Sequence, residues 1–220
     1  MSDHANDESE IRAAFAAGKL ELAASGALRL YRHEILSFIG SRLHNRADAE
    51  ETLSIFAENL WTGLPNFQWR CTLRTWCYTL AHNAVRRFAT SAQRRPARNL
   101  RLSCPGVLSE LVEQMRSATY PYQRTDVKDR FRALREQLDE EDQMLLVLRV
   151  DRNLSFREIA LTCLGDVDSD DAVIAREEAR LRKAFTRLRP ELRRLAEAEG
   201  LLPPKGEAVS GARAKEDLNS

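Results

Sequence analysis

Residues 153–165 read Asn-Leu-Ser-Phe-Arg-Glu-Ile-Ala-Leu-Thr-Cys-Leu-Gly, and this stretch decides how the second half of the chain folds. Ser155 and Glu158 have the spacing of a capping box. In that motif the serine side chain accepts from the third helical amide, and the glutamate reaches back to the serine amide. Gly165 is the residue type that commonly ends a helix. The stretch therefore predicts a short helix over 155–164 that stops at Gly165.

An arginine-rich segment follows this short helix. Residues 169–199 are expected to form a last helix, bent near Pro190. A short capped helix, a glycine turn and a basic helix are typical of a helix-turn-helix, whose second helix lies in the DNA major groove. Helix pairs with glycine turns also occur in plain bundles, so both interpretations stay open here. The basic residues are Arg176, Arg180, Arg182, Lys183, Arg187, Arg189, Arg193 and Arg194.

The rest of the chain has helical periodicity as well. Its 220 residues include only nine Gly and seven Pro, which favours long helices over many short strands. We predict an all-α fold with two helical domains joined by a linker, the second domain carrying the helix-turn-helix. The predicted domains are 8–95 and 126–199, with a linker at 96–125 that contains an amphipathic piece at 107–115. Residues 1–9 are predicted to be a frayed tail and 200–220 a disordered one.

Local signals give the expected helix boundaries. Gly18 predicts a break within the helical segment 10–43. Asn45, Thr72 and Asp139 are predicted N-caps, because their side chains can accept from free amides in the first turn. Pro65 predicts the end of the helix that starts after Asn45.

The net charge of the chain is only +1, but its charges are segregated. No Asp or Glu lies between Glu58 and Glu110. The basic residues of that window are all arginine: Arg70, Arg74, Arg86, Arg87, Arg94, Arg95, Arg98 and Arg101. A local positive field of this kind favours a polyanionic partner, most simply nucleic acid.

Aromatic residues alternate with arginines in one part of this window. Phe67 and Trp69 lie in a predicted loop, and Trp76 and Tyr78 lie on the helix that follows. Bases of single-stranded nucleic acid stack on aromatic rings while arginines neutralise the phosphates. Trp76 falls on the apolar stripe of its helix and is expected in the core. Tyr78 is expected on the outer face of that helix.

Other classes of protein have little support. No apolar run is long enough to span a membrane, and the polar, acidic N-terminus is not a secretory signal. Four cysteines without a CxxC pair and four histidines do not make a zinc site, so we expect reduced thiols, no metal and no cofactor. No nucleophile motif or carboxylate cluster indicates an enzyme, and a cytoplasmic protein is expected.

Taken in order, several of these segments resemble bacterial RNA polymerase sigma factors of the extracytoplasmic-function type. Residues 49–53 (Ala-Glu-Glu-Thr-Leu) through Phe67 are similar to the family's polymerase-binding helix. Residues 73–95 are similar to the helix that melts and reads the −10 element. Residues 138–165 and the end of the last basic helix are similar to the domain that reads the −35 element. The resemblance covers about 150 residues in the right order, and it is the order rather than any one motif that carries it.

The resemblance implies partners and site residues. The partners would be core RNA polymerase and promoter DNA, both double-stranded and as the melted non-template strand, with an anti-sigma factor as a further candidate and no membrane. The implied polymerase-binding residues are Glu50, Glu51, Leu53, Ser54, Glu58 and Leu60. The implied −10 residues are Phe67, Trp69, Arg70, Arg74, Tyr78, His82, Asn83, Arg86 and Arg87. The implied −35 residues are Ser155, Arg157, Arg176, Arg180, Lys183 and Arg187.

The sequence departs from the family pattern at three places. Ser54 stands where the family usually has Gln, and Arg87 stands where it usually has Asp. The stretch after Gly165 is longer than in the family and acidic, Asp-Val-Asp-Ser-Asp-Asp-Ala-Val-Ile over 166–174, and acids repel phosphate. The −35 contacts are therefore the weakest part of the resemblance. The alternative function is a stand-alone helix-turn-helix repressor or activator, which explains the second domain but leaves the first domain without a role.

Overall fold

The computed structural model describes residues 2–43, 45–92 and 137–198. Seven α-helices and no strand lie in these residues, which confirms the predicted all-α class. They are α1 (Ser2–Ala16), α2 (Leu20–Arg42), α3 (Arg46–Gly63), α4 (Leu73–Ala92), α5 (Glu140–Leu146), α6 (Phe156–Leu164) and α7 (Asp171–Ala198). A single 3-10 turn, Leu64–Asn66, follows α3, and a π-helical turn, Val147–Asp151, follows α5.

The predicted helix ends are confirmed by their hydrogen bonds. Asn45 caps α3 by accepting from the amide of Ala47 at 2.9 Å, and Asp139 caps α5 by accepting from Asp142 at 2.8 Å. Thr72 accepts from the amide of Thr75 at the start of α4. Gly18 separates α1 from α2 with a φ of +72°, a conformation that is easily adopted only without a Cβ.

Residues 2–9 are not a frayed tail, and for them that prediction was wrong. They belong to α1, which packs along α2 through Ile11 and Ala14, both buried. Glu8 also contacts two other helices through its carboxylate. Tertiary contacts of this kind can order a polar segment that has little helical pattern of its own.

The helices share one main apolar core that crosses the predicted domain boundary. Phe38 of α2, Phe56 of α3 and Tyr78 of α4 belong to the same cluster as Leu148 and Ile159 of the second half. We call residues 2–92 the first block and 137–198 the second block. A smaller cluster of Leu138, Leu146, Leu188, Leu195 and Ala196 lies within the second block.

Several predictions fall outside the described residues. These are the linker 96–125, its amphipathic piece, the start of the second domain at 126–136 and the tail 200–220. Arg94, Arg95, Arg98 and Arg101 are also outside. The domain boundaries therefore stay predictions. Among the helices that the structure does describe, none combines the length and the apolar composition needed to cross a bilayer.

Candidate nucleic-acid interface

The loop between the 3-10 turn and α4 holds a group of packed aromatic rings. Phe67 is buried and stacks on Trp76 at a centroid distance of 4.5 Å. Trp69 is half-buried between Phe67 and Phe15 of α1, with the guanidinium of Arg12 over its ring at 5.0 Å. Phe67 is therefore part of the core, as Trp76 is, and the loop offers only Trp69 as a ring that a base could reach.

Glu8 fixes the start of α4, a role that the sequence analysis missed. One carboxylate oxygen accepts from the amide of Leu73 at 2.9 Å, and the other accepts from the Tyr31 hydroxyl at 3.1 Å. Burial, followed by the charge of Glu8, raises the pKa of Tyr31, so the hydroxyl remains a donor. A carboxylate at a helix N-terminus is electrostatically favourable. No local pattern joins residue 8 to residue 73, so this contact had no sequence signal.

The first turns of α4 carry an arginine and a tyrosine that share one acid. The Nε of Arg74 donates to Glu34 at 2.8 Å, and the Tyr78 hydroxyl donates to the same oxygen at 2.9 Å. Tyr78 is fully buried, and burial is the main reason that its pKa is raised. The predicted outer-face position of Tyr78 was wrong, because its ring fills the core against Phe38 at 5.5 Å.

The next turns of α4 hold His82 and Asn83, both half-buried. Burial, and then the charges of Arg86 and Arg42, lower the pKa of His82 to about 4. The side-chain amide of Asn83 donates to the carbonyl of Gly165 at 2.8 Å. His82 is therefore neutral at physiological pH, and Asn83 already has a partner in the second block.

Two exposed arginines lie next to each other at the far end of α4. Arg86 and Arg87 are both exposed. Arg70 is exposed too, but one of its guanidinium nitrogens lies 3.2 Å from a carboxylate oxygen of Asp168. Of the predicted −10 residues, Arg86 and Arg87 are thus exposed and have no acidic partner in the part of the chain that the structure describes.

The predicted polymerase-binding residues of α3 divide into two groups. Leu53, Ser54 and Leu60 are buried in the core, because they lie on the apolar side of α3 that packs against the other helices. Glu50, Glu51 and Glu58 are partly exposed on the remaining surface, and Glu50 pairs with Arg46 at 2.7 Å. The structure therefore brings three acids to the outside of this helix and leaves Leu53 and Leu60 inside.

The helix-turn-helix segment has the predicted local structure. Ser155 and Glu158 form the complete capping box, with the Ser155 amide donating to Glu158 at 2.7 Å. Gly165 ends α6 with a φ of +72°. The turn is closed by its own acids, since Asp166 accepts from the amide of Asp168 and Asp170 accepts from that of Ala172. Ser155 is thus used as a cap in this arrangement.

The predicted −35 residues lie on exposed parts of α6 and α7. Arg176 and Lys183 are exposed, whereas Arg157 pairs with Asp171 at 2.7 Å and Arg187 lies 3.4 Å from Asp142. Hydrogen bonds to Glu177 and Glu141 raise the pKa of Arg180. These acids compete with phosphate for three of the predicted contacts. The binding roles of all the site residues stay predictions.

The described cysteines are free thiols. Cys71, Cys77 and Cys163 form no disulfide, and burial raises the pKa of Cys71 to about 11 and that of Cys163 to about 12. Protonated thiols are poor nucleophiles. Within the described ranges no three metal-ligating side chains come together.

Comparison with known proteins identifies the class. Residues 27–95, which span most of α2 and all of α3 and α4, match the family model for Sigma-70 region 2. The RNA polymerase sigma factor YlaC of Bacillus subtilis (strain 168) is 25% identical over 170 residues, covering 75% of this chain and 93% of that protein. No solved structure matches.

Residues 27–95 are therefore similar to sigma-70 region 2, and most of the chain is similar to a bacterial RNA polymerase sigma factor. Together the two likenesses support a sigma factor of the extracytoplasmic-function type. The match over the first block decides against the alternative of a stand-alone repressor or activator, which left that block unexplained.

Proposed function

We propose that the chain is a dissociable subunit of RNA polymerase whose first block binds the polymerase and the −10 element, and whose second block reads the −35 element. The region 2 match over residues 27–95 is the observation that carries this proposal. The remaining parts of the mechanism rest on where individual side chains lie. The proposed site of action is the cytoplasm, and the proposed role is not enzymatic.

The polymerase contact is assigned to the acids of α3. Glu50, Glu51 and Glu58 lie on the partly exposed side of the helix. Carboxylates grouped on one face attract a basic partner and speed its association. Leu53, Ser54 and Leu60 act indirectly in this proposal, because they hold α3 against the core so that its acids point outward.

The −10 contact is assigned to the basic end of α4 and to Trp69. Arg86 and Arg87 would neutralise phosphates, each contributing roughly 0.7–0.9 to the salt slope of binding. Trp69 has a positive φ of 56°, which is uncommon for a bulky residue and needs surrounding contacts to hold it. Stacking on such a ring stabilises a flipped base of the non-template strand by roughly 1–3 kcal/mol.

The proposed use of Trp69 is tested by the variant Trp69→Ala. We expect it to reduce promoter melting, followed by permanganate reactivity of unpaired thymines, more than it reduces closed-complex formation. Trp76→Phe, a change in the core beside Phe67, is the control for altered packing. Equal losses in melting and closed-complex binding, together with a lower unfolding temperature, would show that Trp69 only supports the fold.

The −35 contact is assigned to the exposed basic side of α7. Arg176 and Lys183 are the side chains best placed for it, since the other candidates are paired with acids. An anti-sigma factor that covers either block is proposed as a further partner.

The function as a whole is tested by run-off transcription. The full chain is added to core RNA polymerase with a library of genomic promoter fragments, and specific transcripts are expected only when both are present. The chain is also expected to co-purify with core polymerase. Silence with several core enzymes, together with tight promoter binding by the chain alone, would refute the proposal.

A further inference from the structure

The loop that carries Trp69 is held by a helix that lies before the matched region. Helix α1 precedes the residues that are similar to Sigma-70 region 2. Glu8, Arg12 and Phe15 have helical spacing, so they lie on one face of α1. All three contact either the Trp69 ring or the start of α4. This face of α1 therefore meets the part of the chain to which a base contact is assigned.

The Trp69 ring is packed between two other aromatic rings. The ring centroids of Phe15 and Phe67 lie 5.7 Å and 5.0 Å from that of Trp69. The guanidinium of Arg12 lies over the Trp69 ring at 5.0 Å, and the Arg12 side chain is exposed. A base can take the place of this exposed cation, because stacking and cation–π contacts use the same face of a ring.

Glu8 restrains the other end of the same loop. Its carboxylate accepts from the amide of Leu73, the first residue of α4, at 2.9 Å. It also accepts from the hydroxyl of Tyr31 in α2 at 3.1 Å. One side chain of α1 thus joins α2 to the start of α4. The short stretch from Trp69 to Leu73 is therefore restrained by α1 at both of its ends.

The backbone of Trp69 explains why the loop needs this support. Its φ is +56°, in the left-handed region that bulky residues rarely adopt. A residue keeps such a conformation only where the surrounding structure holds it. Residues 67–69 belong to no helix or strand, so the hydrogen bonds of a regular element do not hold Trp69 in place. The side-chain contacts with α1 supply a restraint of the kind that this conformation requires.

Helix α1 is itself fixed in position. Ile11 is buried against α2, and a Cβ added at Gly26 would lie only 2.8 Å from the Cγ1 atom of Ile11. The two helices therefore approach closely at this point. The carbonyl of Phe15 accepts from the amide of Gly18 at 2.9 Å, where the chain turns into α2. A helix anchored in this way can set the position of the ring that packs on it.

We propose that α1 is a positioning element for the −10 contact, in which Glu8 and Phe15 hold Trp69 in the orientation that accepts a flipped base. This inference rests on the proposed function, because it assumes that a base stacks on Trp69. Neither Glu8 nor Phe15 has to touch DNA in this role. A ring that is held in advance binds a base more tightly than a mobile ring, because less freedom is lost on binding.

The test uses the full chain with Trp61→Phe and Trp76→Phe, which leaves Trp69 as the only tryptophan. This double variant is the parent for the comparisons below. Time-resolved fluorescence anisotropy of the parent reports the nanosecond mobility of the Trp69 ring. Quenching of the same fluorescence by a single-stranded DNA of random sequence reports the affinity for stacked bases.

Glu8→Ala and Glu10→Ala form the first matched pair. Both residues lie in α1, both substitutions remove one negative charge, and Glu10 is exposed. Any general effect of the lost charge on DNA binding is therefore shared by the two variants. Relative to Glu10→Ala, we expect Glu8→Ala to have a more mobile Trp69 ring and about three- to tenfold weaker DNA binding. That loss corresponds to a ring that is in the binding orientation about a third to a tenth of the time.

Phe15→Leu and Phe88→Leu form the second pair, in which an apolar side chain is kept so that folding is at little risk. Both phenylalanines are partly buried against the same core. Phe15 packs on Trp69, whereas Phe88 lies near the far end of α4. We expect Phe15→Leu to increase the mobility of the Trp69 ring and to weaken DNA binding. Phe88→Leu should keep the ring mobility of the parent.

Three results would contradict the proposal. Equal mobility of Trp69 within each pair of variants would show that α1 does not hold the ring. Greater mobility without weaker DNA binding would show that a fixed orientation is not needed for stacking. Loss of the folded state by both Glu8→Ala and Phe15→Leu, followed by circular dichroism, would assign α1 to the stability of the fold instead of to positioning.

Failure of the proposed function can be told apart from failure of this inference. The anisotropy measurement needs neither DNA nor polymerase, so it tests the contacts with α1 by themselves. Absence of run-off transcription by the unsubstituted chain would overturn the proposed function. On a promoter that the chain does transcribe, Glu8→Ala and Phe15→Leu should reduce permanganate reactivity of unpaired thymines more than they reduce co-purification with core polymerase. Equal reductions would contradict a positioning role.

Discussion

His82 is expected to make the folded chain less stable as the pH falls below neutrality. Its pKa is lowered from 6.5 to about 4, first by burial and then by the charges of Arg86 and Arg42. The unfolded chain therefore binds a proton that the folded chain rejects. Its stabilising contribution is fully present above pH 6.5 and is lost as the pH falls from there toward 4.

The size of the effect follows from the two pKa values. A histidine whose pKa is lowered from 6.5 to about 4 on folding reduces the free energy of unfolding by about 2 kcal/mol when the pH falls from 7 to 5. His82 is only partly buried, so solvent screening reduces this loss to about 1–2 kcal/mol.

Urea unfolding at pH 7 and pH 5, followed by circular dichroism, measures the loss. His82→Gln removes the titrating group, so we expect the parent chain to lose about 1–2 kcal/mol more than this variant between the two pH values. His33 is exposed, and His33→Gln is the matched control for replacing a histidine. Equal pH dependence in the parent and in His82→Gln would refute the assignment of a buried, neutral imidazole.

Three further predictions test other parts of the structure. Arg86→Ala with Arg87→Ala should lower the salt slope of promoter binding by roughly 1.4–1.8, and an unchanged slope would exclude phosphate contacts there. Leu148→Ala should reduce the free energy of unfolding by about 2–5 kcal/mol, because the side chain is fully buried in the shared core; a smaller loss for that variant in urea melts would contradict the packing. Ser155→Ala should cost about 0.5–2 kcal/mol, and Ser155→Asp, which keeps a capping oxygen, should restore it.

Local features of the fold were predictable from the sequence. The helix caps are formed between residues that lie within four positions of each other, so the sequence spacing predicts them. These caps are at Asn45, Asp139, Ser155 and Gly165. The all-α class followed for the same reason, because helical periodicity repeats over short distances.

Contacts between distant residues were not predictable in this way. Glu8 reaches Leu73 across 65 residues, and nothing in the polar segment 1–9 indicates that it has a partner. The side of α4 on which Tyr78 lies depends on which helices pack there, and Glu34 accepts from the tyrosine hydroxyl inside the protein.

The candidate site also combines local features, which the sequence predicts, with contacts between distant residues, which it does not. The arginine-only composition of 59–109 predicts positive charge in that segment, and its residues Arg70, Arg86 and Arg87 are exposed. The contacts of Arg70, Arg74 and Asn83 with the second block were not predictable, because pairing between blocks depends on the complementarity of two surfaces.

The hydrogen bond between Asn83 and Gly165 joins residues that are 82 positions apart in the sequence. This separation delays formation of the bond during protein synthesis. At roughly 5–20 residues per second, a ribosome needs about 4 to 16 seconds to add the residues that separate the two partners. During that interval α4 has emerged, or is emerging, without the helix that covers it. Each newly made chain therefore passes through a stage in which this face of α4 is exposed to the ribosome surface, to chaperones and to nearby nucleic acid.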